Sequence, residues 1–375
     1  MQAATLLDFC QRHGIDFFTG VPDSFLKGLC DELYGRYGAS GPTHLVAANE
    51  GNAIGLCAGH YLATGRPALC YMQNSGLGNA VNPLTSLMDP EVYRIPCLLV
   101  IGWRGEPGVK DEPQHVKQGA ITPAQLDLLG IPSLILSPDT PETDFEALAQ
   151  PLLDALAQGQ VCAILARKGA LVSDRHPDYA NRYSLTRERA AEILLAEAGA
   201  EDIFVSTTGK LSREVFEARE RAGQDHRRDF LTVGSMGHAS MIALKIAMAK
   251  PDRRVWCLDG DGAMLMHLGA LPVIARVKPR NLIHVVINNG AHETVGGMPV
   301  CGGDLPIQEL ALAAGYPRVL SADTEAALKN LLGSLPPEGP VMIEIRCACG
   351  ARADLGRPTT TPIQNRDMLM EFIHR

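Results

Sequence analysis

The stretch Val255–Met298, VWCLDGDGAMLMHLGALPVIARVKPRNLIHVVINNGAHETVGGM, decides how the chain is read. Val255–Leu258 is a short apolar run of the kind that forms a parallel strand buried on both faces. Gly260-Asp261-Gly262 reads as a turn, and Ala263–Val277 has the length and composition of a helix. A second apolar run, Leu282–Ile287, ends in Asn288-Asn289-Gly290. A strand, a glycine turn and a helix leave free backbone N–H groups and a helix N-terminus at the strand's carboxyl end, which suits a diphosphate. Asp261 and one of the two asparagines add hard oxygen ligands of the type Mg²⁺ accepts, with phosphate oxygens completing the sphere. GDG alone would serve as a plain turn. Followed by a helix, a strand and an Asn pair, it is far more specific.

Outward from this stretch the same alternation continues. Ile203–Ser206, Phe230–Thr232, Arg318–Leu320 and Val341–Ile345 read as further strands of the second half. In the first half, Asp16–Gly20, His44–Ala47, Pro67–Met72, Cys97–Ile101, Ser133–Leu136 and Val161–Leu165 are strand-like, with periodic stretches such as Ser24–Tyr34 and Glu50–Ala63 between them. Strands alternating with helices predict an α/β fold with doubly wound parallel sheets. After Arg167 the chain turns polar, GALVSDRHPDYANRYS, and a helix is expected from near Thr186. This gives a first domain over 1–170, a linker over 171–185 and a second domain over 186–375.

Composition narrows the classes. At 46% hydrophobic and 20% charged, 375 residues can bury ordinary globular cores, and a formal charge of −8 argues against nucleic acid as a partner. No apolar stretch reaches the roughly 18 residues of a membrane span. The N-terminal MQAATLLDFCQRHGIDFF lacks a basic leader, and Asp8 interrupts its apolar run, so no signal peptide is expected. Ten scattered cysteines with no CxxC pair fit reduced thiols in a cytoplasmic protein, most of them small core residues.

Two other segments carry chemistry. Glu50 follows a strand-like run and opens the small-residue segment AANEGNAIGLCAGHYLATG; alone it would merely favour a helix N-terminus. The segment Thr232–Met241, TVGSMGHASM, sets glycines around Ser235-Met236 and would serve as a close-packed strand-to-helix turn. Together with GDG and the Asn pair, these segments resemble the thiamine-diphosphate-dependent decarboxylases, and among them the phosphonopyruvate decarboxylases. The resemblance extends through GVPDSFLKGL, QNSGLGNAVNPL, GWRGEPGVKDEPQHVKQG, TTGKLSRE, NNGAHETVGG and LGRPTTTPIQN, and so covers nearly the whole chain.

The resemblance implies two doubly wound thiamine-diphosphate-binding domains, the first for the pyrimidine and the second for the diphosphate. It implies that Glu50 bonds a ring nitrogen of the aminopyrimidine, a task for a carboxyl in a low-dielectric setting. Met236 would wedge between the two cofactor rings, with Gly234, Ser235 and Gly237 contacting the cofactor. Gly260, Asp261, Gly262 and Ala263 would meet the diphosphate. Asp261, Asn289 and the carbonyl of Ala291 would ligate Mg²⁺, the choice of Asn289 over Asn288 resting on the family's use of the second Asn. Further implications are a homodimer or larger homo-oligomer with active sites at the subunit interface, and a small 2-oxo acid substrate. The expected reaction is decarboxylation of 3-phosphonopyruvate to phosphonoacetaldehyde, in phosphonate biosynthesis.

The chain departs from pyruvate decarboxylases, which carry a paired-histidine motif and a carboxylate soon after the Asn pair. Here His115 is single and Glu293 is offset. Proton handling is assigned to Asp23, His115 and His292, each of which could equally be a turn or packing residue. A phosphonate beside a carboxylate needs cations; the candidates are Arg104, Lys110, Lys117, Lys210 and Arg213. Sulfopyruvate decarboxylase remains an alternative, as do a carboligase and a 2-oxo acid dehydrogenase component.

Overall fold

The structure, a computed structural model, describes residues 1–301 and 305–374. The chain folds as two units, Met1–Asp178 with Met298–Gly302, and Tyr179–Gly297 with Gly303–Arg375. In the first unit the strands are β1 (Phe18–Gly20), β2 (His44–Val46), β3 (Ala68–Gln73), β4 (Cys97–Gly102), β5 (Ser133–Leu136) and β6 (Val161–Ala166). They lie in the order β2-β1-β3-β4-β6-β5, and every pairing is parallel. In the second unit, β7 (Ile203–Ser206), β8 (Asp229–Leu231), β9 (Val255–Gly260) and β10 (Leu282–Asn288) join Arg318–Ala322 and Val341–Arg346. The order there is Arg318–Ala322, Val341–Arg346, β10, β9, β7, β8, again all parallel. Both sheets are doubly wound, as the alternation of strand and helix predicts.

The apolar runs are continuous because both faces of each central strand are covered. In the second unit Trp256, Leu258, Ile283, Val285 and Ile287 pack into one core, and Val255, Cys257, Leu282 and Val286 into another on the opposite face. Of the ten cysteines, all but Cys301 and Cys349 are buried. No helix among the described residues is long and apolar enough to cross a membrane.

Two details differ from the sequence reading. β9 runs on to Gly260, and the helix begins at Asp261 rather than after the glycine turn. The single helix expected over Ala263–Val277 is two, Asp261–Met266 and Ala270–Val277, separated at His267–Gly269. Pro272 falls in the first turn of the second helix, where its missing N–H costs no intrahelical bond. The polar stretch 171–185 is tied down on both sides. Ser173 and Arg175 bond to Glu32 in the first unit, and Asn181 bonds to the backbone of Asn289 and Cys347 in the second.

The edge strand β8 is held by two devices. Asn365, from the helix Pro362–Ile373, accepts from the Leu231 N–H and donates to the Asp229 carbonyl, covering groups that an edge leaves unpaired. Beneath it, Arg219 makes a bidentate pair with Asp229 at 2.8 and 3.0 Å, with both side chains fully buried. A buried pair contributes little net stability, but breaking one side leaves a bare charge. Arg219→Met should therefore destabilise the protein by about 3–5 kcal/mol, read from denaturant unfolding. An unchanged unfolding midpoint would show that the pair is not needed.

Candidate active site

In a parallel sheet covered on both faces, ligands meet the protein at the carboxyl ends of the strands. The predicted residues of each unit gather there. In the first unit, Asp23 lies three residues beyond β1 and is fully buried. Its Oδ1 accepts from Gln73 Nε2 at 2.6 Å, and its Oδ2 from the Phe25 N–H at 2.9 Å. Gly102, the last residue of β4, has no Cβ where one would collide with this carboxylate. Burial pushes the Asp23 carboxyl above its usual range, against the pull of Gln73 and Phe25.

Glu50 is the first residue of the helix Glu50–Thr64, whose cap is Asn49. The carboxylate is buried, and its Oε2 accepts from Asn79 Nδ2 at 2.8 Å. Its Oε1 faces Gly76, where a Cβ would come within 2.5 Å of that oxygen. Neither Asn79 nor Gly76 was singled out from sequence. They sit in QNSGLGNAVNPL, 29 and 26 residues from Glu50, so no local spacing rule reaches them.

His115, on the helix Pro113–Leu128, is buried with its Nδ1 lacking a protein partner. Burial, with the nearby Arg104 charge, lowers its pKa to about 4. Arg104 follows β4 closely. It forks onto Asp111 through Nε and Nη2, donates from Nη1 to Ser24 Oγ at 2.9 Å, and lies over the Phe25 ring. Lys110 and Lys117, the other candidate cations of this unit, are exposed.

In the second unit, register pairs Gly260 of β9 with Ile287 of β10, so Asp261 and the Asn pair leave the sheet side by side. Asp261 Oδ1 accepts from the Gly262 N–H at 2.8 Å and Oδ2 from the Gly290 N–H at 2.7 Å. Burial nevertheless raises its pKa to about 7. The two asparagines separate cleanly. Asn288 donates to Glu344 Oε1 at 2.8 Å, within the sheet. Asn289, buried just beyond the strand, bonds locally instead, its Oδ1 accepting from the Ala291 N–H at 3.1 Å and its Nδ2 donating to Glu293 Oε2 at 3.3 Å.

The segment after β8 approaches the same place. Gly234, Ser235 and Gly237 all have positive φ, at 70°, 47° and 88°, so the chain turns tightly around Met236. A Cβ on Gly237 would lie 2.5 Å from His267 Cδ2 and 2.8 Å from the Ala263 carbonyl oxygen. A Cβ on Gly262 would meet His292 Cε1 at 3.1 Å and Met236 Cε at 3.5 Å. Thus Met236, Gly237, Gly262, Ala263 and His292 form one cluster beside Asp261. His292 is buried, and burial lowers its pKa to about 4. At the foot of the neighbouring helices, Lys210 pairs with Glu293 at 3.2 Å, and Arg213 is half-buried one turn along.

These residues fit a diphosphate with its metal. A carboxylate has about four lone-pair sites, so Asp261 retains acceptor capacity beyond its two N–H bonds. Thr207 Oγ1 and Thr232 Oγ1, just past β7 and β8, and His292 Nε2, four residues past β10, are buried polar atoms with no protein partner. Such atoms call for a polar occupant.

Comparison with known proteins agrees with this geometry. Residues 2–128 match the family described as "Thiamine pyrophosphate enzyme, N-terminal TPP binding domain", and residues 207–345 match its C-terminal TPP binding domain. A phosphonopyruvate decarboxylase of Streptomyces hygroscopicus is 36% identical over 379 residues, covering 96% of this chain and 90% of that one. The chain belongs to the thiamine-diphosphate-dependent decarboxylases. A phosphonopyruvate decarboxylase of Streptomyces viridochromogenes is 35% identical, with 99% and 94% covered. A sulfopyruvate decarboxylase of Methanosarcina acetivorans is 28% identical, with 79% and 78% covered.

The close approach at Gly76 can be tested in this decarboxylase. Gly76→Ala should push the Glu50 carboxyl out of place and lower turnover on the order of 10²-fold, since a displacement of about 1 Å costs that much. Circular dichroism and melting should show the fold retained. Native turnover in the folded variant would mean that the Glu50 position is not critical.

Proposed function

We propose that this decarboxylase converts 3-phosphonopyruvate to phosphonoacetaldehyde and carbon dioxide, with thiamine diphosphate held through Mg²⁺, as a step of phosphonate biosynthesis. What carries the reading is similarity: two proteins named phosphonopyruvate decarboxylase match it over nine-tenths or more of their length. Assembly as a homodimer or larger homo-oligomer in the cytoplasm, with active sites at the subunit interface, is part of the proposal.

When bound, thiamine diphosphate supplies the nucleophilic carbon and the electron sink that decarboxylation of a 2-oxo acid requires. The chain's residues do the rest. Glu50 holds and exchanges a proton at Oε1, the oxygen beside Gly76, while Asn79 fixes Oε2. Asp261, Asn289 Oδ1 and the Ala291 carbonyl are the proposed Mg²⁺ ligands, all oxygen as that ion prefers. Gly260, Gly262 and Ala263 would meet the diphosphate, and the tight turn of Gly234, Ser235 and Gly237 would hold Met236 against the cofactor's rings. Asp23 is fitted to hold a proton, because burial raises its carboxyl. His115 and His292, their pKa values lowered to about 4 by burial, are neutral at neutral pH and offer hydrogen bonds to the reacting groups more readily than they hold a proton.

The anionic substrate is read by cations at the carboxyl edge, and Arg104 is the foremost candidate. Asp111 and Ser24 take three of its five N–H groups and fix the guanidinium, which leaves two to meet an anion. Sulfopyruvate is the second reading, supported by the sulfopyruvate decarboxylase among the relatives.

The purified chain with thiamine diphosphate, Mg²⁺ and 3-phosphonopyruvate should release carbon dioxide and phosphonoacetaldehyde in equal amounts. Chelation and dialysis should abolish this, with both components needed for recovery. Arg104→Gln should lower kcat/KM for phosphonopyruvate about 10–100-fold relative to pyruvate, the loss expected for one charge-assisted hydrogen bond. Better turnover of sulfopyruvate would overturn the substrate, and full activity in stripped protein would overturn the metal.

A further inference from the structure

Glu293 has no place in the proposed chemistry, yet it is one of the most fully bonded groups near Asn289. It lies in the short turn Glu293–Val295 just after His292, with a side chain 13% exposed. Its Oε1 accepts from Lys210 Nζ at 3.2 Å. Its Oε2 accepts from the Gly350 N–H at 2.7 Å and from Asn289 Nδ2 at 3.3 Å. The turn itself is fastened to the start of the helix Lys210–Arg221, where the Lys210 N–H donates to Thr294 Oγ1 at 3.2 Å. Gly209, at φ 103°, permits that approach, because a Cβ there would lie 2.5 Å from the same hydroxyl.

The two ends of an asparagine amide have nearly the same shape, so packing alone does not choose which end faces a metal. Hydrogen bonding does. An ionised carboxylate only accepts, so only Nδ2 of Asn289 can face Glu293. Oδ1 is then forced to the other side, where it lies against the Ala291 N–H at 3.1 Å. The peptide of Asn289 is held as well: its carbonyl accepts from Asn181 Nδ2 at 2.9 Å and from Cys349 Sγ at 3.2 Å.

We infer that Glu293 is a positioning residue, which orients the amide of Asn289 so that Oδ1 is the end presented to the metal. Lys210 and the Gly350 N–H hold the carboxylate in place. Lys210 thereby gains a role at the cofactor site. The inference rests on the proposed Mg²⁺ reading. Outer partners of metal ligands commonly act this way, and losing one costs about 10–100-fold in metal affinity.

The test needs no turnover. Binding of thiamine diphosphate to the whole protein is followed by calorimetry as Mg²⁺ is raised, and the half-saturating metal concentration is read. Glu293→Gln should raise it about 10–100-fold, since a Gln can present either end and lets the Asn289 amide flip. In an Asn289→Asp background the sign should reverse: the ligand is now a carboxylate, Glu293 repels it, and Glu293→Gln should lower the concentration by donating to it. A brace with no orienting role would act the same way in both backgrounds, and that result would overturn the inference. Metal-free melting curves report whether each variant folds. If Glu293→Gln does not, Lys210→Met, which keeps the carboxylate but frees it, should still raise the concentration; no rise would overturn the inference. A native chain that binds the cofactor equally well without metal would overturn the metal reading itself, and this inference with it.

Discussion

A parallel sheet covered by helices on both faces has nowhere to do chemistry except the carboxyl ends of its strands, and this chain builds that edge twice. The faces are filled by interdigitated aliphatic side chains, so polar groups within the sheet must find partners inside it, as Asn288 does with Glu344. At the edge the constraint relaxes, and carboxylates can be buried against backbone N–H groups without a full complement of cations. Asp261 shows the balance: two N–H bonds hold it, yet burial still moves its pKa to about 7.

The glycines follow from the same crowding. Gly76 leaves room for the Glu50 carboxyl, Gly102 for Asp23, and Gly237 for the Ala263 carbonyl and His267. Each is where a neighbouring element comes too close for a side chain. They are packing conditions of the site and not flexible joints.

Much of this was legible along the chain because it is local. The order strand, turn, helix, strand and Asn pair can be read in one pass, and the register of β9 with β10 turns that order into adjacency. Glu50 was singled out only through the resemblance of its segment, since its position after β2 alone marks no more than a helix N-terminus. Two kinds of feature were not legible. The split at His267–Gly269 was hidden because Ala263–Val277 is apolar enough for one helix, and only Pro272 marks the restart. Partnerships were hidden because they join residues far apart: Asn79 with Glu50, Gln73 with Asp23, Lys210 with Glu293. The cations show this best. Sequence lists Arg104, Lys110, Lys117, Lys210 and Arg213 as equals, whereas the fold commits Arg104 to Asp111 and Lys210 to Glu293 and leaves Lys110 and Lys117 exposed.

The central claim is that the buried Glu50 carboxyl, set between Asn79 and Gly76, supplies the proton exchange that activates the bound cofactor. The most direct measurement is the rate of hydrogen–deuterium exchange at the acidic carbon of thiamine diphosphate on the protein, without substrate. Glu50→Gln keeps the side chain's size but cannot cycle a proton, so exchange should slow about 10²–10⁴-fold while the cofactor stays bound. Exchange at the native rate in that variant would contradict the claim.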